Sequence, residues 1–224
     1  MGSSSKTFQR FLQMVRVLII LKMMLLLFIN LSCGIEKSQP ELGDVVIMQK
    51  KFSLEEIQYL EEFIARFDTA IMKQEQVDVA KMAYHLFCEK LKGYDPLSIN
   101  KLLQTISKSD SIISNKFIES ALGNEIWNVT NSRNMDFAKT YNIYEINPRS
   151  RFIKLLKYLS ENYPVLEDYF ETIVTAGDIT PTLIGGYHYS HDKLDFDDPL
   201  IRLWTVIHFS TIYLNSEIYS RTDN

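Results

Sequence analysis

The chain has 224 residues, of which 24 are basic and 28 acidic, so its net charge is −4. This acidic surplus argues against a nucleic-acid partner, because phosphate contacts require clustered Lys and Arg. With 46% hydrophobic residues and only eight Gly and six Pro, the composition is that of a folded protein and excludes a disordered one. A chain of this length is long enough to form one well-filled core.

Residues 1–32 have the features of a secretory signal. They contain no Asp or Glu, and an apolar run occupies residues 23–29. Four basic residues precede this run: Lys6, Arg10, Arg16 and Lys22. A positive stretch followed by a short apolar stretch is typical of secretory signals. Without this segment, 20 basic and 28 acidic residues remain, which gives residues 33–224 a net charge of −8.

The segment ends in Asn30-Leu31-Ser32-Cys33, which resembles the four-residue box at the cleavage site of bacterial lipoproteins. Ser32 and Cys33 fit that box, whereas Asn30 stands where Leu is usual and Leu31 is bulky for its place. The resemblance implies cleavage before Cys33 and attachment of lipid to its thiol. More than one acyl chain gives a stable anchor, so the resemblance implies a protein of the bacterial cell envelope that is held to a membrane.

Two alternatives to a lipidated Cys33 remain open from the sequence. An uncleaved signal anchor would keep residues 11–31 in the membrane, but Arg16 and Lys22 interrupt the apolar stretch, and each charge costs about 2.5–3.5 kcal/mol at the bilayer centre. A disulfide between Cys33 and Cys88, the only two cysteines, would require an oxidising compartment. Cys88 lies in an apolar stretch, which favours a buried free thiol.

The predicted organisation has three parts: a signal peptide at 1–32, a lipidated cysteine with a tether at 33–50, and a single helical domain at 51–224. The tether assignment depends on its turn-forming and charged residues, although the apolar patch 45–48 is able to dock on the domain. The domain contains no heptad run and no internal repeat. The predicted fold is therefore mainly α, an irregular bundle of about seven to eight helices.

Local signals place several helix starts. Ser53 and Glu56 form a capping box at the head of an apolar stripe with helical spacing over residues 54–71. Pro164 also predicts a helix start. A capping residue followed by Pro, which is favoured at the first helical position, occurs at Asp95-Pro96, Thr180-Pro181 and Asp198-Pro199. The last of these opens the clearest helical stripe, which runs through residues 200–218.

One region has a different pattern. Residues 125–130 and 141–146 alternate between apolar and polar side chains and are rich in β-branched and aromatic residues. Alternation of this kind is typical of strands. The sequence therefore predicts one small β-hairpin near residues 125–146 within an otherwise helical fold, with an irregular excursion as the alternative.

The segment 185–198 contains the best candidate for chemistry. His188 and His191 offer ring nitrogens and Asp195 offers a carboxylate, which together suggest a metal site and a metal-assisted hydrolase. The spacing matches neither the zinc motif with two His on one helix face nor a calcium-binding loop. The alternative is a polar connection between two helices in which Asp198 caps the second.

The same segment carries aromatic residues that are candidates for binding. Tyr187, Tyr189 and Phe196 would form a recognition surface if they face solvent, since Tyr is favoured at interfaces. The alternative is that they fold back onto the core. Among the other histidines, His208 is predicted to be a hydrogen-bonded core residue, and His85 shares a helix with Cys88 without a third group to orient it.

The sequence contains no glycine-rich phosphate loop, nucleophile elbow or Ser-x-x-Lys motif. It therefore favours a non-enzymatic protein without a cofactor. The leading hypothesis is a lipid-anchored envelope protein whose helical domain binds a macromolecular partner, and the acidic composition suits a basic protein partner. The metal-assisted hydrolase and the signal-anchored membrane protein are the alternatives.

Overall fold

The computed structural model describes residues 41–93, 99, 101–104, 115–134, 139–177 and 179–215. All of them belong to a compact unit that spans Pro40–Asn224. Three predictions lie outside the described residues: the signal peptide, the lipidation of Cys33, and the helix start at Asp95-Pro96. Residues 34–40 of the predicted tether also lie outside them.

The described part of the chain is mainly helical, which confirms the predicted fold class. Its α-helices are α1 (Val46–Lys51), α2 (Leu54–Glu75), α3 (Ala80–Leu91), α4 (Asn115–Ile118), α5 (Ala121–Ile126), α6 (Arg151–Asn162), α7 (Glu167–Ala176), α8 (Pro181–Tyr189) and α9 (Pro199–Leu214). Short 3-10 turns occupy Leu42–Asp44, Pro164–Leu166 and His191–Lys193. Residues 101–104 are also helical.

The predicted β-hairpin is also confirmed. Strands β1 (Trp127–Asn134) and β2 (Lys139–Ile146) pair in antiparallel register, with Trp127 opposite Ile146 and Asn134 opposite Lys139. The first strand begins two residues later than its sequence pattern, because Glu125 and Ile126 complete α5. The hairpin packs on the helices through Trp127 and Ile146, which are 2% and 0% exposed.

Several predicted helix starts are observed with their hydrogen bonds. Ser53 Oγ accepts the Glu56 backbone N–H while the Glu56 carboxylate accepts the Ser53 N–H, so the capping box is complete. Thr180 caps α8 and Asp198 caps α9 through their side-chain oxygens. At Pro164 the chain makes a 3-10 turn first, and the α-helix follows from Glu167 onward.

Residues 41–50 do not form a free tether, which corrects the predicted extent of that segment. Leu42 and Met48 are 1% and 0% exposed and belong to the hydrophobic core. The Gly43 backbone N–H donates to Glu61 Oε1 at 2.9 Å, which ties the first 3-10 turn to α2. The docking expected of the apolar patch 45–48 is therefore observed, and the folded part begins before residue 51.

Helix α9 is the centre of the fold. Every residue from Pro199 to Ile212 is buried, whereas an ordinary amphipathic helix buries only one stripe. A helix that is buried on every side requires neighbours on every side, and α2, α6 and β2 are among the elements that contact it. With 16 residues, α9 is shorter than the roughly 20 residues of a bilayer span. No helix within the described ranges has the length and apolar content needed to cross a membrane.

Four polar side chains on α9 form hydrogen bonds to neighbouring elements, and so does Asn215 just after it. Each of these five residues bonds to a different element. The pairs are Arg202 with Asp68 of α2 (2.8 Å), Thr205 with Tyr187 of α8 (2.6 Å), His208 with Tyr169 of α7 (2.7 Å), Thr211 with Trp127 of β1 (2.9 Å) and Asn215 with the Tyr144 backbone of β2 (2.9 Å). Each bond satisfies a group that would be costly to bury alone. Together they fix the rotation of α9 relative to its surroundings.

The charged pair among these contacts joins three helices. Asp68 of α2 and Arg202 of α9 are 8% and 7% exposed. The Asp68 carboxylate also accepts the Tyr84 hydroxyl of α3 at 2.8 Å. Burial raises the pKa of Asp68, and the nearby Arg202 and Tyr84 oppose that shift without cancelling it. The ion pair therefore balances a large desolvation cost, and losing either partner would leave a buried charge.

Candidate functional site

The segment 185–198 is not one loop, because its first part belongs to a helix. Gly185 to Tyr189 form the second half of α8, and a 3-10 turn at His191–Lys193 follows. Asp198 accepts the Leu200 N–H and caps α9, as the alternative interpretation expected. The candidate residues of this segment therefore point in different directions.

The predicted metal ligands are not assembled. His188 is 0% exposed within the core. His191 bonds to two side chains of α3, and Asp195 Oδ1 lies 2.7 Å from the Lys81 ammonium. Across the described residues, no group of three or more His, Cys, Asp or Glu side chains is placed to hold a metal ion. The arrangement gives no support to the metal-assisted hydrolase.

Two of the three predicted recognition aromatics are core residues. Tyr187 and Phe196 are 3% and 0% exposed, and Phe196 stacks on Tyr84 with ring centroids 4.8 Å apart. This agrees with the alternative that the segment folds back onto the core. Tyr189 is 60% exposed, and the Lys92 ammonium lies 5.9 Å from its ring centroid. Tyr189 is therefore the one member of that predicted set that faces solvent.

Glu89, His191 and His85 form a hydrogen-bonded row between α3 and the 3-10 turn. His191 Nε2 lies 2.9 Å from Glu89 Oε2, and His191 Nδ1 lies 3.1 Å from His85 Nδ1. Hydrogen bonds to Lys92 and then to His191 lower the pKa of Glu89, so its carboxylate is ionised and accepts the His191 Nε2 proton. With its Nε2–H donating to Glu89, His191 accepts a hydrogen bond at Nδ1 from the Nδ1–H of His85.

The other two histidines are buried behind this row. Neither ring nitrogen of His188 has a hydrogen-bond partner among the described residues, and its ring stacks on Phe209 at 5.5 Å. Burial, with a smaller effect from His191, lowers the pKa of His188 to about 4. Burial also lowers the pKa of His208 well below its usual value. Both rings are therefore neutral at physiological pH.

All four histidines of the chain thus lie in one region. His85 and His191 rings are 5.3 Å apart, His188 and His208 rings are 5.5 Å apart, and His191 also acts on His188 electrostatically. Sequence reasoning treated them one at a time and missed their grouping. Their spacing along the chain gives no signal of it, because three different helices contribute. Burial lowers the pKa of His85, His188 and His208, so the cluster disfavours protonation in the folded protein.

A groove with an acidic rim lies between the first half of α2 and the short helices α4 and α5. Its volume is about 650 Å³. The residues that line it are Glu55, Glu56, Gln58, Tyr59, Glu62, Lys116, Ser120, Ala121 and Leu122. Three carboxylates and one ammonium give this described lining a net negative charge. The groove suits basic groups better than acidic ones.

Two packing features hold the walls of this groove in place. An added Cβ at Gly123 would lie 2.3 Å from the carbonyl oxygen of Phe117, so only glycine allows α5 to pack this closely against α4. Arg151 of α6 bonds to Glu56 of α2 at 2.7 Å and to Glu125 of α5 at 2.8 Å. The Arg151 guanidinium lowers the pKa of Glu56 to about 2. Glu56 is therefore ionised, and its role is to hold α2 against α6.

The groove offers both charge and apolar surface to a ligand. Glu55 and Glu62 are exposed on its rim, and the weak contact of Glu62 with Arg66 at 3.8 Å is solvent-exposed. Tyr59 stacks on Phe117 with centroids 5.5 Å apart and forms part of the floor with Leu122. Lys and Arg have long alkyl stems and a charged end, so a basic segment fits both features.

The comparisons with known proteins give no relative for this chain. No protein-family model, no curated protein and no solved structure matches it.

We expect the buried histidines to make the fold labile to acid. The unfolded chain binds protons at His188 below about pH 6.5, whereas the folded protein does so only near pH 4. Since the unfolded state binds more protons in this window, the free energy of unfolding falls as pH falls from 6.5 to 4. For His188 alone the loss is roughly 3 kcal/mol.

The variant His188→Phe should reduce that pH dependence by roughly 3 kcal/mol, because it keeps the ring and removes the protonation. Urea unfolding at several pH values between 4 and 7 measures the effect. Phe209→Leu is the control, since it disturbs the same packing without changing a titratable group and should shift the curve uniformly. Parallel pH curves for the native chain and His188→Phe would contradict the interpretation.

Proposed function

We propose that this chain is a lipid-anchored protein of the bacterial cell envelope whose helical domain binds a basic protein segment in the acidic groove. The observation that carries the binding part is the groove itself, which combines an acidic rim with an aromatic and aliphatic floor. The overall charge of −8 over residues 33–224 supports the same kind of partner, because a long-range negative field accelerates association with a basic protein.

The anchor part of the proposal is supported by the sequence up to Cys33. The acid-free basic and apolar segment resembles a secretory signal, and Ser32 and Cys33 fit the lipoprotein box at 30–33 although Asn30 and Leu31 depart from it. Leu42, the first buried residue described, lies nine positions after Cys33, and a fully extended chain of nine residues reaches roughly 30 Å. Under this proposal the groove would stay close to the membrane, because the 3-10 turn at Leu42–Asp44 bonds to Glu61, the neighbour of Glu62.

Reversing the charge of two glutamates on the rim of the groove tests whether the groove binds a basic segment. Glu55→Lys with Glu62→Lys should weaken binding of a fluorescent peptide of alternating Lys and Leu by about tenfold or more, since two attractions become repulsions. Fluorescence anisotropy at physiological salt measures the dissociation constant. The acidic counterpart, a peptide of alternating Glu and Leu, should not bind.

The matched control is Glu161→Lys with Glu171→Lys, which makes the same change in net charge at exposed positions on α6 and α7. This control should weaken binding by no more than about twofold, through the general field alone. Equal losses in the two double variants would show that the groove has no special part. Failure of the native protein to bind the basic peptide would reject the proposed partner class.

The anchor is tested separately by Cys33→Ser in a bacterial host. We expect this variant to incorporate no labelled fatty acid and to leave the membrane fraction, because the thiol is the attachment point. Cys88→Ser is the control and should retain both properties, since Cys88 is a free, fully buried thiol. Unchanged membrane retention of Cys33→Ser would support the uncleaved signal anchor instead.

A further inference from the structure

A second cavity lies between α7, α8 and the 3-10 turn Pro164–Leu166. Its volume is about 370 Å³, within the range of sites that bind small molecules. It shares no lining residue with the acidic groove. The side chains that give it an apolar interior are Leu166, Tyr169, Leu183, Tyr187 and Leu194.

The two tyrosines of this cavity are held by the core. Tyr187 donates its hydroxyl proton to Thr205 Oγ1, because the Thr205 hydroxyl already donates to the Ile201 carbonyl. The Tyr169 hydroxyl bonds to His208 Nδ1 at 2.7 Å. Since both hydroxyl groups are occupied at α9, the tyrosines contribute the carbon body of their rings to the cavity. The interior is thus aromatic and rigid.

No contact or backbone angle within the described residues requires glycine at the two consecutive positions 185 and 186 of α8. Gly185 and Gly186 lie inside a helix, and glycine stabilises a helix interior less than alanine does. Neither has a positive φ, and a Cβ added at either would meet no described atom within 4 Å. Gly186 lines the cavity, whereas Gly185 does not. Because Gly186 has no side chain, the helix backbone at this position is accessible to a ligand in the cavity.

The charge of the lining selects the kind of ligand. Asp168 is the only charged residue among the described residues that line the cavity, and it is exposed at the first turn of α7. A positive group beside Asp168 would gain a charge pair, and the rings of Tyr169 and Tyr187 attract cations as well as apolar surface. A negative ligand would be repelled.

We propose that this cavity binds a small amphiphilic amine, with its apolar body against the two tyrosine rings and the Gly186 backbone and its ammonium beside Asp168. The inference is independent of the acidic groove and of the anchor. It assigns Gly186 as the residue that admits the ligand and Asp168 as the residue that selects its charge.

Equilibrium dialysis of the full chain in detergent micelles tests this assignment, with tryptamine as the probe and tryptophol as its neutral analogue. Tryptamine should bind with a stoichiometry of about one and about fivefold or more tighter than tryptophol. Asp168→Asn should bring the two affinities within about twofold of each other. Gly186→Leu should weaken tryptamine binding by about tenfold or more, because its side chain would cover the backbone that the ligand contacts.

Gly185→Leu is the matched control, since it makes the same substitution one residue away and should leave the affinity within about twofold. Far-UV circular dichroism and the thermal midpoint show whether each Leu variant folds. If a Leu variant does not fold, the comparison of tryptamine and tryptophol binding in Asp168→Asn tests the proposal instead. The proposal is overturned if tryptamine does not bind or if tryptophol binds equally well. It is also overturned if a folded Gly186→Leu variant keeps the native affinity.

Discussion

The fold depends on the polar side chains that α9 carries into the core. In a helix buried on every side, an unpaired Arg202, His208 or Thr211 would be destabilising, because an unsatisfied buried polar group costs about 1–3 kcal/mol and a charge costs more. Each of these groups is therefore bonded to a separate neighbouring element. The bonds from Thr205 and His208 also position the tyrosines of the second cavity, so the architecture of the core and the shape of a candidate site have one cause.

Features with local causes were predictable from the sequence. The capping box at Ser53, the caps at Thr180 and Asp198, and the alternating pattern of the hairpin each depend on residues a few positions apart. The helical stripe of α9 was also recognised, but its burial on every side was not. The signal for that burial was present, because Arg202 is the only Asp, Glu, Lys or Arg between Pro199 and Leu214.

The candidate sites were not predictable, because they join distant parts of the chain. His191 meets Glu89 across 102 positions and Asp195 meets Lys81 across 114. The predicted metal set placed neighbouring residues together, whereas the fold directs His188 inward and Asp195 toward α3. The exposed glutamates of α2 were recognisable as a polar helix face, but the groove also requires residues 116–122. Distances of this kind follow from tertiary packing alone.

The most direct test of the role of α9 is a double-mutant cycle on Asp68 and Arg202, measured by urea unfolding in a Tyr84→Phe background that strands no hydroxyl. Asp68→Leu and Arg202→Met should each lower the free energy of unfolding by about 3–5 kcal/mol, because each leaves one buried charge without its partner. The double variant should lose far less than the sum of the two. Simple additivity of the two losses would contradict the claim that this buried pair joins α9 to its neighbours.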